Sequence, residues 1–116
     1  MDKKIREIYY SDEYKEYLDA LPMRVRVKYD YVEQIIATIK VVSTKFVKNI
    51  EGTDFYEARV SIGSNEYRTV MFAIDAISFI ESSRVIFLNS FLKKSKKQYK
   101  QEVEIANKIL RKYMEE

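Results

Sequence analysis

Two arginines, a run of lysines and two tyrosines are the side chains through which this sequence can act on an anion. Arg59 and Arg68 stand on either side of Gly63-Ser64, a pair suited to a two-residue hairpin turn. With that turn, Ile62 faces Asn65, Val60 faces Tyr67, and Arg59 lies directly opposite Arg68. Directly opposed residues share one sheet face with Cβ atoms about 5 Å apart, where like charges destabilise. A phosphate between the guanidinium groups gives a reason to hold them there. Glu57 and Glu66 lie on the same face and give another, a surface salt-bridge ladder. If the contact is one of like charges, Arg59→Ala or Arg68→Ala should leave stability unchanged or slightly raised. Lys93, Lys94, Lys96, Lys97 and Lys100 place five lysines within eight residues, with no acid among them. Such a run is usually a solvated face, but this one follows a strand leading from the arginine pair and suits phosphate contact. Tyr99, inside the run, and Tyr113 each carry a phenol that can stack on a base or donate a proton, though most of the 10 tyrosines must be packing residues. Tyr67 alternates away from the arginines and belongs to the core.

Other chemistry is excluded by composition. The chain has no His and no Cys, which removes zinc sites, thiol nucleophiles and Ser-His pairs. Two glycines are too few for a dinucleotide fingerprint or a P-loop. No metal and no cofactor is therefore expected. The net charge of +3 is uneven: residues 1–58 hold 10 basic and 11 acidic side chains, and residues 59–116 hold 11 and 7. The excess positive charge thus accompanies the hairpin and points to a polyanionic partner. The segment M-D-K-K-I-R-E has no apolar core for a signal peptide, and no run approaches the ~20 residues of a membrane span. A cytoplasmic protein without membrane contact is expected.

The elements that must position these residues follow from periodicity. Glu7-Ile8-Tyr9-Tyr10 reads as a short strand, and Ser11 as an N-cap with Asp12 and Glu13 in the first turn. Tyr14, Tyr17, Leu18 and Leu21 give one helical stripe. Val25, Tyr29, Val32, Ile36 and Ile39, with Ile35 beside them, give a second that opens after Pro22 and runs to about Val42. Residues 43–54 read as a connector anchored by Phe46, Val47 and Ile50. Phe55–Ile62, Asn65–Ile74 and Arg84–Leu88 with the residues after them are rich in β-branched and aromatic side chains, as strands are. Residues 75–83 extend the middle strand or form a loop. Val103, Ala106, Ile109, Leu110 and Tyr113 mark a last helix. The order β-α-α-β-β-β-α predicts one α+β domain over residues 1–116: a small antiparallel sheet with two N-terminal helices and one C-terminal helix on one face.

In order and spacing, Phe46-Val47-Lys48, Gly52 to Val60, Asn65-Glu66-Tyr67-Arg68 and Leu88 through Lys97 resemble the phage-derived HigB-like branch of the RelE/ParE toxin superfamily. Leu88-Asn89-Ser90-Phe91 departs from the Leu-His-Gly-Phe common there, and Lys97-Gln98-Tyr99 from Lys-Thr-Pro. The resemblance implies the toxin of a type II toxin–antitoxin module, neutralised by a cognate helix-turn-helix antitoxin. It implies an endoribonuclease that cuts mRNA at the ribosome and inhibits translation. Arg59, Arg68, Lys93 and Lys94 are then the expected catalytic residues. Lys96, Lys97, Tyr99 and Lys100 are the expected RNA-binding ones. In that reaction the ribose 2′-OH attacks the adjacent phosphate while Arg and Lys stabilise the added charge. Two alternatives remain at this level: a ParE-like toxin that inhibits DNA gyrase and cuts nothing, and a non-toxic nucleic-acid-binding domain. The lysine run favours the first reading over the ParE-like one.

Overall fold

A computed structural model describes residues 3–115; Met1, Asp2 and Glu116, which the single-domain reading also spans, lie outside the described residues. In chain order the elements are β1 Glu7–Tyr10, α1 Asp12–Asp19, α2 Met23–Thr38, β2 Val47–Asn49, β3 Tyr56–Ile62, β4 Asn65–Ala73, β5 Arg84–Leu92 and α3 Gln98–Met114. The strands form one sheet in the order β1-β5-β4-β3-β2. The architecture is α+β, as predicted, with three departures.

The first is a mixed sheet rather than an antiparallel one, because β1 pairs in parallel with β5, Glu7 opposite Arg84 through Tyr10 opposite Phe87. The strand-to-helix junction holds that direction. The Ser11 amide continues the pairing by donating to the Phe87 carbonyl at 3.0 Å, while the Ser11 hydroxyl caps α1 by accepting from the Tyr14 amide at 2.9 Å. The second is β2, which falls in the expected connector. Val47 pairs with Ala58 and Asn49 with Tyr56, so the anchors Val47 and Ile50 are buried as part of, or beside, an edge strand. The third concerns the helices, which cover both faces. Tyr14, Val25, Tyr29, Val32 and Ile36 of α1 and α2 pack with Val60, Tyr67, Met71, Val85 and Phe87. Ala106 and Ile109 of α3 pack with Val70, Ile86, Leu88 and Phe91 on the other side. The unbroken apolar run Val85 to Leu88 gives β5 two hydrophobic faces, and each needs a cover.

Helix α2 stops at Thr38, short of Val42, and Ile39 takes extended dihedrals. The β-branched pair Val41-Val42 adds little helix propensity beyond it. The helix has no basic residue in its last turn. Arg6, only 2% exposed, takes that place from the start of β1. Its guanidinium donates to the carbonyls of Ile36 (2.9 Å), Ile39 (2.6 Å) and Lys40 (2.6 Å), and to those of Phe79 and Ile80 (both 3.3 Å). It also lies 4.0 Å from the centre of the Phe79 ring. Residues 75–83 form the longer loop: Phe79 is buried, and the Asp75 carboxylate closes the base by accepting from the Ser83 and Arg84 amides at 3.1 Å.

α2 also buries Glu33, whose carboxyl burial pushes up to about 6, with Asp30 adding like charge. The folded state then holds an extra proton between the ordinary carboxyl value and pH 6, so stability falls as pH rises through that window. The loss amounts to about 2 kcal/mol above pH 7. Glu33→Gln should therefore melt roughly 5 °C or more above the wild type at pH 7.5 and level with it near pH 4.5. Equal melts at both pH values would show that the buried carboxylate carries no such cost.

Candidate functional site

The hairpin turn forms as its sequence requires. Gly63 has φ +57° and among the described residues no non-glycine residue has positive φ, the pattern of a turn with glycine at its first central position. The register is Ile62 opposite Asn65, Val60 opposite Tyr67 and Arg59 opposite Arg68. Tyr67 is buried on the α2 side, its ring 5.8 Å from that of Tyr29. The two arginines therefore project on the α3 side, toward the first turn of that helix.

Glu57 sits between them. Its Oε2 accepts from Arg59 Nε at 3.0 Å and from the Tyr99 hydroxyl at 3.1 Å. Arg68 Nε stands 2.9 Å from the same oxygen. Its N–H does not point along that line, so the contact is one of charge rather than a directed hydrogen bond. Arg68 Nη1 donates to Glu66 Oε1 at 3.2 Å and to the Tyr67 carbonyl at 2.9 Å. Hydrogen bonds from Ser61 and Arg68 hold the Glu66 carboxyl below its usual range despite some desolvation. The acidic ladder considered from sequence thus exists, but it is sunk into the protein at one end. The side chain of Arg68 is 5% exposed and that of Glu57 7%, against 26% for Arg59. An ion pair at that depth is a poor candidate for neutral replacement, so the expectation that Arg68→Ala preserves stability is corrected. The two arginines are equivalent in register and different in depth.

Lys93 enters the cluster from β5. Its amide donates to the Glu66 carbonyl at 2.7 Å, and its Nζ lies 5.7 Å from the centre of the Tyr99 ring. The Phe91 ring packs nearly perpendicular to that of Tyr99, their centres 5.7 Å apart. Burial first, and the Glu57 carboxylate second, raise the Tyr99 phenol above its ordinary value. It stays protonated at neutral pH and keeps a proton to donate. Arg59, Arg68 and Tyr99 are therefore brought together around one carboxylate oxygen, and Lys93 joins them through the Tyr99 ring. Lys94, Lys96, Lys97 and Lys100 are exposed and take part in no ion pair among the described residues. They line the rim rather than the centre.

Two supports were not picked out from sequence. Gln98 shapes the lysine turn: its Oε1 accepts from the Lys94 and Ser95 amides, the latter at 2.9 Å, and its Nε2 donates to the Leu92 carbonyl at 3.1 Å. Ser95-Lys96-Lys97-Gln98 has the spacing of a capping box, which was the available signal. The second support is a bulge. The β4–β5 register shifts after Val70, which pairs with Asn89, while Met71 pairs with Phe87, leaving Leu88 extra. Asn89 then shares the α3 side and donates to the Glu102 carbonyl at 3.1 Å. Ser90 turns inward, meeting the Tyr29 hydroxyl at 2.8 Å and donating to the Arg68 carbonyl at 2.8 Å. Of the residues that depart from the Leu-His-Gly-Phe pattern, Ser90 thus props the Arg68 backbone and Asn89 ties β5 to α3.

Residues 16–111 match the family model described as "Phage derived protein Gp49-like (DUF891)". A double arginine-to-alanine mutant of the E. coli toxin RelE, solved in the free state, has a similar structure. The TM-score is 0.60 at 16% sequence identity, over 88% of this chain and 97% of that one. No curated protein matches the chain by sequence. At that identity the structural likeness fixes the fold and leaves the site to be argued from its own residues.

Proposed function

The chain belongs to the Gp49-like family of phage-derived proteins and has a RelE-superfamily fold, and from that premise we propose that it is the toxin of a type II toxin–antitoxin module that cuts mRNA. The observation that carries this reading is the convergence of Arg59, Arg68 and Tyr99 on the single oxygen Glu57 Oε2, with the Lys93 ammonium over the Tyr99 ring beside them. A cradle that collects donors around one carboxylate oxygen is equipped to meet a phosphate oxygen beside it. Arg59, the more exposed guanidinium, and Lys93 face the incoming phosphate. Arg68 and Glu57 hold Arg59 and Tyr99 in place from beneath. The ribose 2′-OH attacks phosphorus, the bond to the 5′ oxygen breaks, and the leaving oxygen takes the Tyr99 proton. The products are a 2′,3′-cyclic phosphate and a free 5′-hydroxyl. With no histidine in the chain, the base that accepts the 2′-OH proton is Lys93, Lys94 or a group of the ribosome. Charge stabilisation of this kind is worth about 10²–10³ in rate per donor. The partners under this reading are mRNA in the decoding site and a helix-turn-helix antitoxin, and the compartment is the bacterial cytoplasm. Among the described residues no helix is long and apolar enough to cross a membrane.

Induced alone in bacteria, the protein should arrest growth, and RNA from the arrested cells should carry new 2′,3′-cyclic phosphate ends. Unimpaired growth with abundant protein, or gyrase-dependent DNA breaks in place of cut RNA, would overturn the proposal. Neutralising two of Lys94, Lys96 and Lys97 should weaken single-stranded RNA binding for every sequence. It should also shallow the log–log salt slope by about 1.4, at ~0.7 per phosphate contact. An unchanged slope would return the lysine run to a solvated face.

A further inference from the structure

The far edge of the sheet carries a second site. Residue Glu7 donates its amide to the Ser83 carbonyl at 2.8 Å and Ser11 donates to Phe87 at 3.0 Å. By the alternation of a strand, the amides of Ile8 and Tyr10 point the other way. On that side β1 has no neighbouring strand among the described residues, and the Ile5 and Arg6 amides just ahead of it donate to the Ala37 carbonyl of α2 at 2.7 and 3.1 Å. A groove of about 560 Å³ lies there, with Ile5, Ile8 and Tyr10 on the strand side, Lys4 and Arg6 at one end, and Asp30 and Glu33 of α2 opposite. Glu33 is 8% exposed, and its Oε1 has no hydrogen-bond partner. No ion pair among the described residues reaches Asp30 or Glu33.

We propose that this groove docks an extended segment of a partner protein, which adds a strand to the free edge of β1 and places a lysine or arginine against Glu33. Main-chain hydrogen bonds to an open edge give such a segment its grip, and a pocket beside the edge gives it selectivity. The chemistry of the pocket chooses a cation. A buried carboxylate without a counter-charge is costly, and an incoming ammonium or guanidinium removes that cost. Burial raises the Glu33 pKa and Asp30 adds to it, although the Tyr10 hydroxyl partly opposes the shift. Nucleic acid is the wrong partner for a wall formed by Asp30 and Glu33. A second copy of the chain is also wrong, because symmetric pairing through β1 would bring another Asp30 and Glu33 instead of a cation. The groove lies three strands from Arg59 and on the α2 side of the sheet, so the inference stands independently of the RNA-cleaving reading.

The test uses the full chain, labelled with ¹⁵N, and a capped eight-residue peptide of alternating threonine and valine with one central lysine. Titration should shift and protect the Ile8 and Tyr10 amides. Replacing the peptide's lysine by glutamate should weaken binding at least tenfold, and Glu33→Gln should abolish that preference while the protein stays folded. Tyr10, Tyr14 and Asp30 face Glu33, so the pH is held at 7.5, where the carboxyl is ionised. Equal binding of the two peptides, shifts confined to the lysine run, no binding at millimolar peptide, or protection of both amides by self-association alone would each overturn the proposal.

Discussion

Arg6→Ala should be the most damaging single substitution outside the apolar core, lowering stability by about 3–5 kcal/mol and the melting temperature by more than about 10 °C. Arg6 is buried and forms no ion pair among the described residues. Its charge is balanced by backbone carbonyls, of which Ile36, Ile39 and Lys40 belong to the negative end of the α2 dipole. Removing the guanidinium takes that donor from the Ile36, Ile39 and Lys40 carbonyls, while Phe79 keeps its bonds from Ser82 and Ile80 its bond from Lys40. Arg6→Lys is the informative companion. It keeps the charge, but its ammonium is a single nitrogen and cannot span carbonyls that Arg6 reaches with three. It should recover less than half of the loss. A denaturant melt of either variant matching the wild type would show that the α2 end satisfies itself with water.

The second large effect separates the two arginines that sequence makes look alike. Arg59→Ala should lower RNA cleavage about 10²-fold and leave the melting temperature within a few degrees, because its side chain is partly open to solvent. Arg68→Ala should cost about 3–5 kcal/mol of stability, since Glu57 would remain buried with half its counter-charge. Activity measured on the folded fraction of each variant decides between the roles. A stable Arg68→Ala protein, or a fully active Arg59→Ala one, would reverse the assignment.

What the sequence made legible was local. The Gly63-Ser64 turn set the Arg59–Arg68 register, because a two-residue loop leaves one way to pair its arms. Ser11 announced α1 through its cap, and the spacing from Val103 to Tyr113 announced α3. What was hidden depends on distant partners. Nothing in Glu7-Ile8-Tyr9-Tyr10 says that its neighbour is β5 or that the pairing is parallel. Val47-Lys48-Asn49 is too short to declare itself a strand without Tyr56–Ala58 beside it. Arg6 and Glu33 sit in polar contexts that read as surface. Only the fold reveals that one fills the end of a helix and the other backs a groove. At the site, residue types were legible and depth was not. Register put Arg59 and Arg68 together, but α3, crossing above β4 and β5, decides which of them water reaches.

The parallel pairing of β1 has a consequence for how the molecule is made. Glu7 leaves the ribosome 77 residues before its partner Arg84, about 4–15 s of synthesis at roughly 5–20 residues per second. Hairpin partners such as Arg59 and Arg68 are nine residues apart and can meet almost as soon as they emerge. The Arg6 cage needs Phe79 and Ile80 as well, so it too stays open until late. Contacts of such long sequence separation are also the slow ones to close. Until Arg84 and the residues after it emerge, β1 has no strand to pair with. In that interval the segment from Ile5 to Tyr10 is an unprotected strand, open to capture by a chaperone or a protease.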